Sequence, residues 1–400
     1  MPKAHLAASA ALALLLSACT GAPDRPAPAM PDTPLRFATY NTSLYSEQAG
    51  GLARRLREGD ERARSIAAVI QRQRPDVLLL NEFDFDAAGE SADLFQSLYL
   101  AVGQFGEQPI MFPYRYFGPV NTGVPSGLDL DQDGSVAAQG RSYGNDAWGY
   151  GLHPGQYGML VLSKFPIDTA AVRSFQTLRW SEMPRAMAPV DPATGKPWYR
   201  EQTWSQLRLS SKSHWDVPVD TPQGRIHFLV AHPTPPVFDG PERRNAARNH
   251  DEIRLWSEYI TPGDKPWLCD DAGRCGGLDA DARFVIAGDY NADPAGGGSI
   301  PGAIHQLLEN SRVLRHATPR SEGGLVASPG AQAVAGSAAH HTATFGPRTG
   351  NFRVDYVLPS VGLPVAASGV FWPRPGEPGA EWVDVTDHRL VWVDVFAGPQ

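Results

Sequence analysis

A chain of 400 residues with 35 Lys and Arg against 43 Asp and Glu carries a formal net charge of −8, which excludes a protein held on nucleic acid by bulk electrostatics. A local cationic or metal-bearing site stays compatible with that balance. An apolar fraction of 42% is ample for a core, and 40 Gly with 36 Pro point to a loop-rich α/β or β architecture without repeats.

Lys3 and His5 precede an apolar run over residues 6–16 that is too short for a membrane span, which needs about 20 apolar residues. The run ends in Leu16, Ser17, Ala18 and Cys19, an order that resembles a bacterial lipobox, so 1–18 is expected to be a lipoprotein signal peptide and Cys19 the lipidated residue. Plain secretion is the competing reading. Residues 19–34 form a Pro- and Ala-rich tether too poor in apolar bulk to fold. Export and a lipid anchor in the cell envelope follow. Thr20, rather than Asp, after the cysteine favours the outer membrane, facing the periplasm or the cell surface. Residues 35–400 contain no comparable linker and are taken as one domain, expected to act as a monomer.

Within that domain, residues 35–40 alternate as a strand and place Asn41 at its end. Residues 60–73 have Arg62, Ile66, Val69 and Ile70 at helical spacing, with Pro75 as the stop. A buried strand over 77–80 follows and carries Asn81 and Glu82 at its tip, so a parallel strand pair would bring two polar ends to one side. In an insertion over 121–151, Asp129, Asp131, Asp133 and Gly134 match the opening of a calcium loop, in which alternating oxygens converge on a cation. The closing Glu is missing, Gly140 standing at that position, and Asp146 is the candidate late ligand; a solvated acidic loop is the bland alternative.

A strand is expected over 159–162. Beyond it, Arg173, Arg179, Arg185, Lys196, Trp198, Arg200 and Trp204 could form a basic, aromatic groove for nucleic acid, or a solvated loop. A strand over 226–231 ends at His232, and a helix over 243–259 follows. Cys269 and Cys275 are an even pair in an exported chain and suggest a disulfide closing a small loop. The stretch RFVIAGDYNADP reads as a buried central strand, 284–287, broken at Gly288 into a loop with Asp289, Asn291 and Asp293. Extended chain would put Asp289 and Asn291 on one face, where a carboxylate takes a proton from water and a carboxamide holds it. An ordinary strand-end turn is the alternative. Asp355 lies in an apolar strand and needs a partner, for which His388, next to Asp387 before the last strand, is the natural choice.

The ordered set Asn41, Glu82, His232, Asp289 with Asn291, Asp355, and Asp387 with His388 resembles the endonuclease/exonuclease/phosphatase, or deoxyribonuclease-I-like, superfamily. That resemblance covers essentially residues 35–397 and implies an α/β fold, a four-layer α/β sandwich of two packed β-sheets flanked by helices. It implies a phosphoester hydrolase using Mg2+ or Mn2+; Ca2+ in the acidic loop, expected from that loop's own Asp spacing, would be a separate structural ion. Glu82 would ligate the catalytic metal, Asn41 would hold metal or phosphate, and Asp387 would lie at the metal side. Asp289 would deprotonate the attacking water, Asn291 would fix it, and His388, held by Asp355, would bind a phosphate oxygen. His232 would stabilise the phosphorane or protonate the leaving oxygen. Two positions depart from nuclease members: Gln156 replaces a Glu that supports the histidine, and Ser43 replaces a metal-side Asp. The substrate stays open among nucleic acid, a phosphorylated polyol or sugar, and a phospholipid headgroup. The alternative class is a cell-envelope binding lipoprotein that kept the fold without the chemistry.

Overall fold

The computed structural model describes Met1, residues 33–327 and residues 338–398. The expected signal segment, Cys19 and nearly all of the tether lie outside the described residues. Two mixed sheets make the frame. The first orders β12 (Val365–Val370), β13 (Val391–Val395), β1 (Leu35–Leu44), β2 (Val77–Phe83), β4 (Met159–Ser163) and β3 (Tyr114–Tyr116). The second orders β11 (Asp355–Pro359), β8 (Phe284–Asp289), β7 (Gly224–Ala231), β6 (His214–Thr221) and β5 (Arg173–Ser174). A ribbon of β9 (Ala343–Thr344) and β10 (Asn351–Phe352) leads into β11.

Period-2 alternation sorts side chains into layers. Phe37 on β1, Leu79 on β2, Val161 on β4, Phe228 on β7, Val285 on β8 and Val393 on β13 point between the sheets and make one cluster. Their neighbours point outward: Ala38, Tyr40 and Leu80 meet Ile66, Val69 and Ile70 of the helix Glu61–Gln73. On the other side, Phe284 and Ile286 meet Ile253 and Trp256 of the helix Arg244–Ile260. Helix, sheet, sheet and helix layers result, as the resemblance implied. Each fully buried large apolar side chain contributes about 1.5–3 kcal/mol, so the inter-sheet contacts, such as Phe37 on Phe228 at 5.6 Å between ring centroids, fix how the sheets face each other.

Each sheet has one parallel pair, β1 with β2 and β7 with β8, and these deliver the polar strand ends. The expected parallel pairing of the first two strands is found, with longer strands than the sequence pattern indicated. β1 continues past Tyr40 through an irregularity between Asn41 and Leu44, where Ser43 takes φ 49°, and Glu82 in β2 takes φ 55°. Asp60 caps the first long helix by accepting from the Ala63 N–H at 3.0 Å, and Arg74 ends it in the left-handed region ahead of Pro75. Arg62, expected on the helical stripe, is exposed and donates to the Ser43 carbonyl at 2.9 Å, because the inward face is completed by Ala63.

Candidate active site

The strand ends meet in one cluster. Asn41 is fully buried, and its Nδ2 donates to Glu82 Oε1 and to Asp289 Oδ2, both at 3.1 Å, joining the two sheets across the cleft. β11 pairs with β8 so that Asp355 stands opposite Asp289. His388 is brought in by its bridge to Ala343, and its Nδ1 lies 2.9 Å from Asp355 Oδ2 while its Nε2 lies 3.6 Å from Asp289 Oδ2. His232 completes the ring with Nε2 at 3.4 Å from Asp289 Oδ2. Asp387 is more open, 48% exposed, with Oδ1 at 3.8 Å from His388 Nε2. All the residues singled out around Asp289 are thus brought together.

Local geometry differs from expectation at two of them. Asp289 and Asn291 are not aligned by extended chain: Asn291 has φ 50°, and its N–H folds back to donate to Asp289 Oδ1 at 2.9 Å, an Asx turn. Its side-chain Nδ2 donates to the Pro233 carbonyl at 3.2 Å, tying it to the loop that carries His232. Gly288 lies inside β8 rather than beyond its end, and a Cβ there would sit 2.1 Å from the Ala231 carbonyl oxygen, so glycine serves close strand approach.

Charges in the cluster are strongly coupled. Burial raises Glu82 to about 7, with Asp387 and Asp289 adding repulsion against the relief from His388 and Asn41. Burial also acts to raise Asp289, but His388, His232 and the Asn291 N–H outweigh it and hold this carboxyl well below the usual range. For His388, burial lowers the pKa, and Asp355 with Asp289 overcome it to give about 10. The proton of the buried His388–Asp355 pair therefore resides on the imidazole. His232 is the opposite case: burial and then the charge of Lys212 lower it to about 4, and its Nδ1 has no hydrogen-bond partner among the described residues.

The donor set suits a hard divalent cation. Glu82 and Asp387 offer carboxylate oxygens, and turning the Asn41 amide would present a carbonyl oxygen to the same gap. The buried trio Asp289, Asp355 and His388 has ligand atoms within 4.8 Å of one another and could also hold a metal ion; when His388 is protonated, its imidazolium alone of the three is a donor to a phosphoryl oxygen. Asp289 can take a proton from a water lying in the cleft.

Several further groups position the cluster, and of these only Asn81 stood out in the sequence, at the strand tip beside Glu82. Asn81 is fully buried; its Oδ1 accepts the Asp289 N–H at 3.2 Å and its Nδ2 donates to the Ala231 carbonyl at 3.5 Å, so β2 is stitched to β8 and β7. Glu252 of the helix Arg244–Ile260 accepts the N–H groups of Ser211 and Thr234, each at 2.6 Å. Asn249, about one turn earlier in the same helix, donates to the carbonyls of Thr234 and Tyr290 at 2.8 and 2.9 Å. Arg389 Nη1 donates to the carbonyls of Val383, Thr386 and His388, fixing the loop that presents Asp387 and His388.

The departures and the outlying features also find places. Gln156 donates to the Ser46 carbonyl at 2.8 Å and accepts from the Leu152 N–H at 2.6 Å, and neither bond is to His232. Ser43 Oγ lies 3.2 Å from Thr386 Oγ1. Carboxylate oxygens of Asp129, Asp131 and Asp133 converge within 4.8 Å. Asp146 turns instead to the N–H groups of Leu130 and Ala137, at 2.8 and 3.2 Å, and organises the loop from beneath. Cys269 and Cys275 form a disulfide. Of the basic, aromatic stretch, Arg173 pairs with Asp270 at 2.8 Å and Trp204 packs on Trp180 at 5.0 Å. A cavity of about 360 Å³ lined by Leu52, Asp84, Phe85, Val120 and His153 contains none of the clustered residues.

Among solved structures, the chain is similar to an endonuclease/exonuclease/phosphatase from Beutenbergia cavernae, with 18% identity, TM-score 0.48, and 92% of this chain and 72% of that one covered. It is also similar to sphingomyelinase C from Streptomyces griseocarneus, with 17% identity, TM-score 0.43 and coverage of 90% and 99%. The human Nocturnin catalytic domain with bound sulfate gives 14% identity, TM-score 0.44 and coverage of 92% and 96%. No curated protein matches the sequence. Residues 38–388 match the Endonuclease/Exonuclease/phosphatase family, a span that runs from β1 to His388, and the chain belongs to that family of metal-dependent phosphoric ester hydrolases.

Proposed function

We propose that the protein hydrolyses phosphodiester or phosphomonoester bonds by in-line attack of a water activated by Asp289. The observation that carries this reading is the environment of Asp289 itself: an ionised carboxylate fixed by the Asn41 amide and the Asn291 N–H, between two imidazoles at 3.4 and 3.6 Å. Asp289 orients the water and takes its proton. His388, charged and held by Asp355, receives a phosphoryl oxygen. His232 faces the leaving oxygen, and Asn291 keeps the His232 loop in register with Asp289. Glu82, Asp387 and Asn41 would hold a divalent cation, magnesium or manganese, which when bound would supply positive charge to offset the negative charge developing on the phosphoryl oxygens.

Export and lipidation of Cys19 belong to the same proposal and place the enzyme on the cell envelope, where nucleic acid, a phosphorylated polyol or a phospholipid headgroup could be met. The deciding experiment is a substrate panel of plasmid DNA, a small phosphodiester and a phosphomonoester, each with magnesium and with chelator. Metal-dependent turnover of at least one is expected. Absence of turnover on all three in the metal-loaded protein, with equal results for Asp289→Asn, would reject the reading.

A further inference from the structure

Thr342 stands just before β9 and is only 1% exposed. A β-branched side chain suits that place by shape, and valine would fill the same space, so the buried hydroxyl needs a reason of its own. Two N–H groups supply it. Those of Val354 and Asp355 both donate to Thr342 Oγ1 at 3.0 Å, at the point where the chain leaves β10 for β11. One oxygen thus satisfies two backbone groups that lie on the Asp355 side of the site.

The backbone of the same residue reaches the other side. Its carbonyl accepts the Arg389 N–H at 2.7 Å, and two residues on, the Thr344 N–H donates to the Asp387 carbonyl at 2.8 Å. These bonds flank the bridge between Ala343 and His388, so the segment that carries His388 is paired to β9. The Thr342 N–H is spent in turn on the Phe352 carbonyl at 2.8 Å. Asp355 and His388 are 33 residues apart in the chain, and their 2.9 Å contact exists only if both backbones are held in place. Thr342 is bonded to both of them.

We propose that Thr342 is a positioning residue for the His388–Asp355 pair, its hydroxyl fixing the backbone from which Asp355 projects and its carbonyl the backbone from which His388 projects. The effect on turnover rests on the reading in which His388 receives a phosphoryl oxygen; the positioning does not. Removing the oxygen leaves two buried N–H groups unpaired, and the chain at Asp355 must move to find water or another acceptor.

The test compares the wild type with Thr342→Val, which keeps the shape, Thr342→Ser, which keeps the oxygen, and Ser360→Ala as a structural control. Ser360 Oγ accepts the Phe284 N–H at 3.1 Å at the far end of the β8–β11 pair, so the control loses a bond of the same kind away from the site. Two readouts are followed. Proton NMR detects the downfield signal of the His388 imidazole proton facing Asp355, assigned by its loss in His388→Ala, and steady-state kinetics measure turnover of a small phosphodiester. Thr342→Val should lose or shift the signal and turn over about tenfold to a hundredfold more slowly, the effect of displacing a positioned group by about 1 Å. Thr342→Ser should keep the signal and stay within about threefold of the wild-type rate, because the acceptor is retained. Ser360→Ala should melt lower and change neither readout. An unchanged signal in Thr342→Val, or an equal loss of it in Ser360→Ala, would overturn the proposal. Should Thr342→Val fail to fold, amide exchange in the wild type decides: Val354 and Asp355 amides that exchange as fast as those of exposed turns overturn it. A changed signal in Thr342→Val, with His388→Ala turning over like the wild type, would sink the proposed role of His388 and leave the positioning standing.

Discussion

Glu252 is buried in the helix Arg244–Ile260 with both carboxylate oxygens committed, one to the Ser211 N–H and one to the Thr234 N–H, each at 2.6 Å. One residue therefore holds both the turn carrying Lys212 and the loop carrying His232. Glu252→Gln keeps the shape but turns one acceptor into a donor facing an N–H. One charge-assisted bond is lost and one buried N–H is left unpaired, a cost of about 3 kcal/mol. With an unfolding entropy of about 2.1 cal/mol/K per residue over roughly 360 folded residues, that cost lowers the melting temperature by about 4 °C. Loosening both loops should also reduce phosphodiester turnover by about tenfold to a hundredfold, because displacement of a positioned group by about 1 Å has effects of that order. Glu258→Gln is the control: it removes an i,i+4 pair with Arg254 at 2.9 Å on the same helix and should change stability by less than about 0.5 kcal/mol. Thermal unfolding by circular dichroism and steady-state kinetics measure both effects. If Glu252→Gln melts within about 1 °C of the wild type and turns over equally, the carboxylate does not hold the two loops.

Asp289→Asn should abolish hydrolysis, by about a hundredfold or more, while magnesium affinity measured by calorimetry is retained; turnover near the wild-type rate would remove Asp289 as the base. His214 and His232 are each held near 4 chiefly by burial, against an ordinary value of 6.5, so the unfolded chain binds more protons between those values and stability falls as pH drops from about 6.5 towards 4. His214→Asn should flatten that fall in urea midpoints measured with chelator present; a slope equal to that of the wild type refutes the assignment. Millimolar calcium should raise the melting temperature without supporting turnover, and Asp131→Ala should erase the rise, since three carboxylates converging in one loop repel until a cation joins them. A wild-type melting curve that calcium leaves unmoved would make the loop a solvated acidic insertion.

The groups that end apolar runs were legible in the sequence. Glu82, His232 and Asp289 each follow a stretch of buried strand, and a polar residue at such a boundary has a place to act. Asp355 with His388 was legible for another reason: a carboxyl in an apolar strand demands a partner. Lys212, Glu252 and Arg389 gave no such contrast. The stretches SSKSH and RNHDEIR are almost wholly polar, and hydrophobic periodicity registers a buried face only when that face is apolar. The inward face of this helix includes Asn249 and Glu252, buried against backbone groups of loops distant in sequence. Backbone placement was also hidden at Ser43 and Glu82, whose left-handed conformations neither residue type announces, whereas Asn291 is a type that tolerates that region.

The site is divided between the two sheets. Asn41, Glu82, Asp387 and His388 come from β1, β2 and the approach to β13, whereas His232, Asp289 and Asp355 come from β7, β8 and β11. No strand or loop owns a complete constellation, so the 3.1 Å contacts of the Asn41 amide to Glu82 and Asp289 exist only while the sheets keep their packing. Two features enforce it. Asn81 crosses between the sheets with hydrogen bonds to β8 and β7, and the apolar layer of Phe37, Leu79, Phe228 and Val285 fills the space beside it. A close-packed layer resists sliding because any shift opens voids or forces overlap. The geometry of the cluster is accordingly set by the inter-sheet core, and the loops around the cleft, pinned by Glu252, Asn249 and Arg389, supply only the groups that core brings into range.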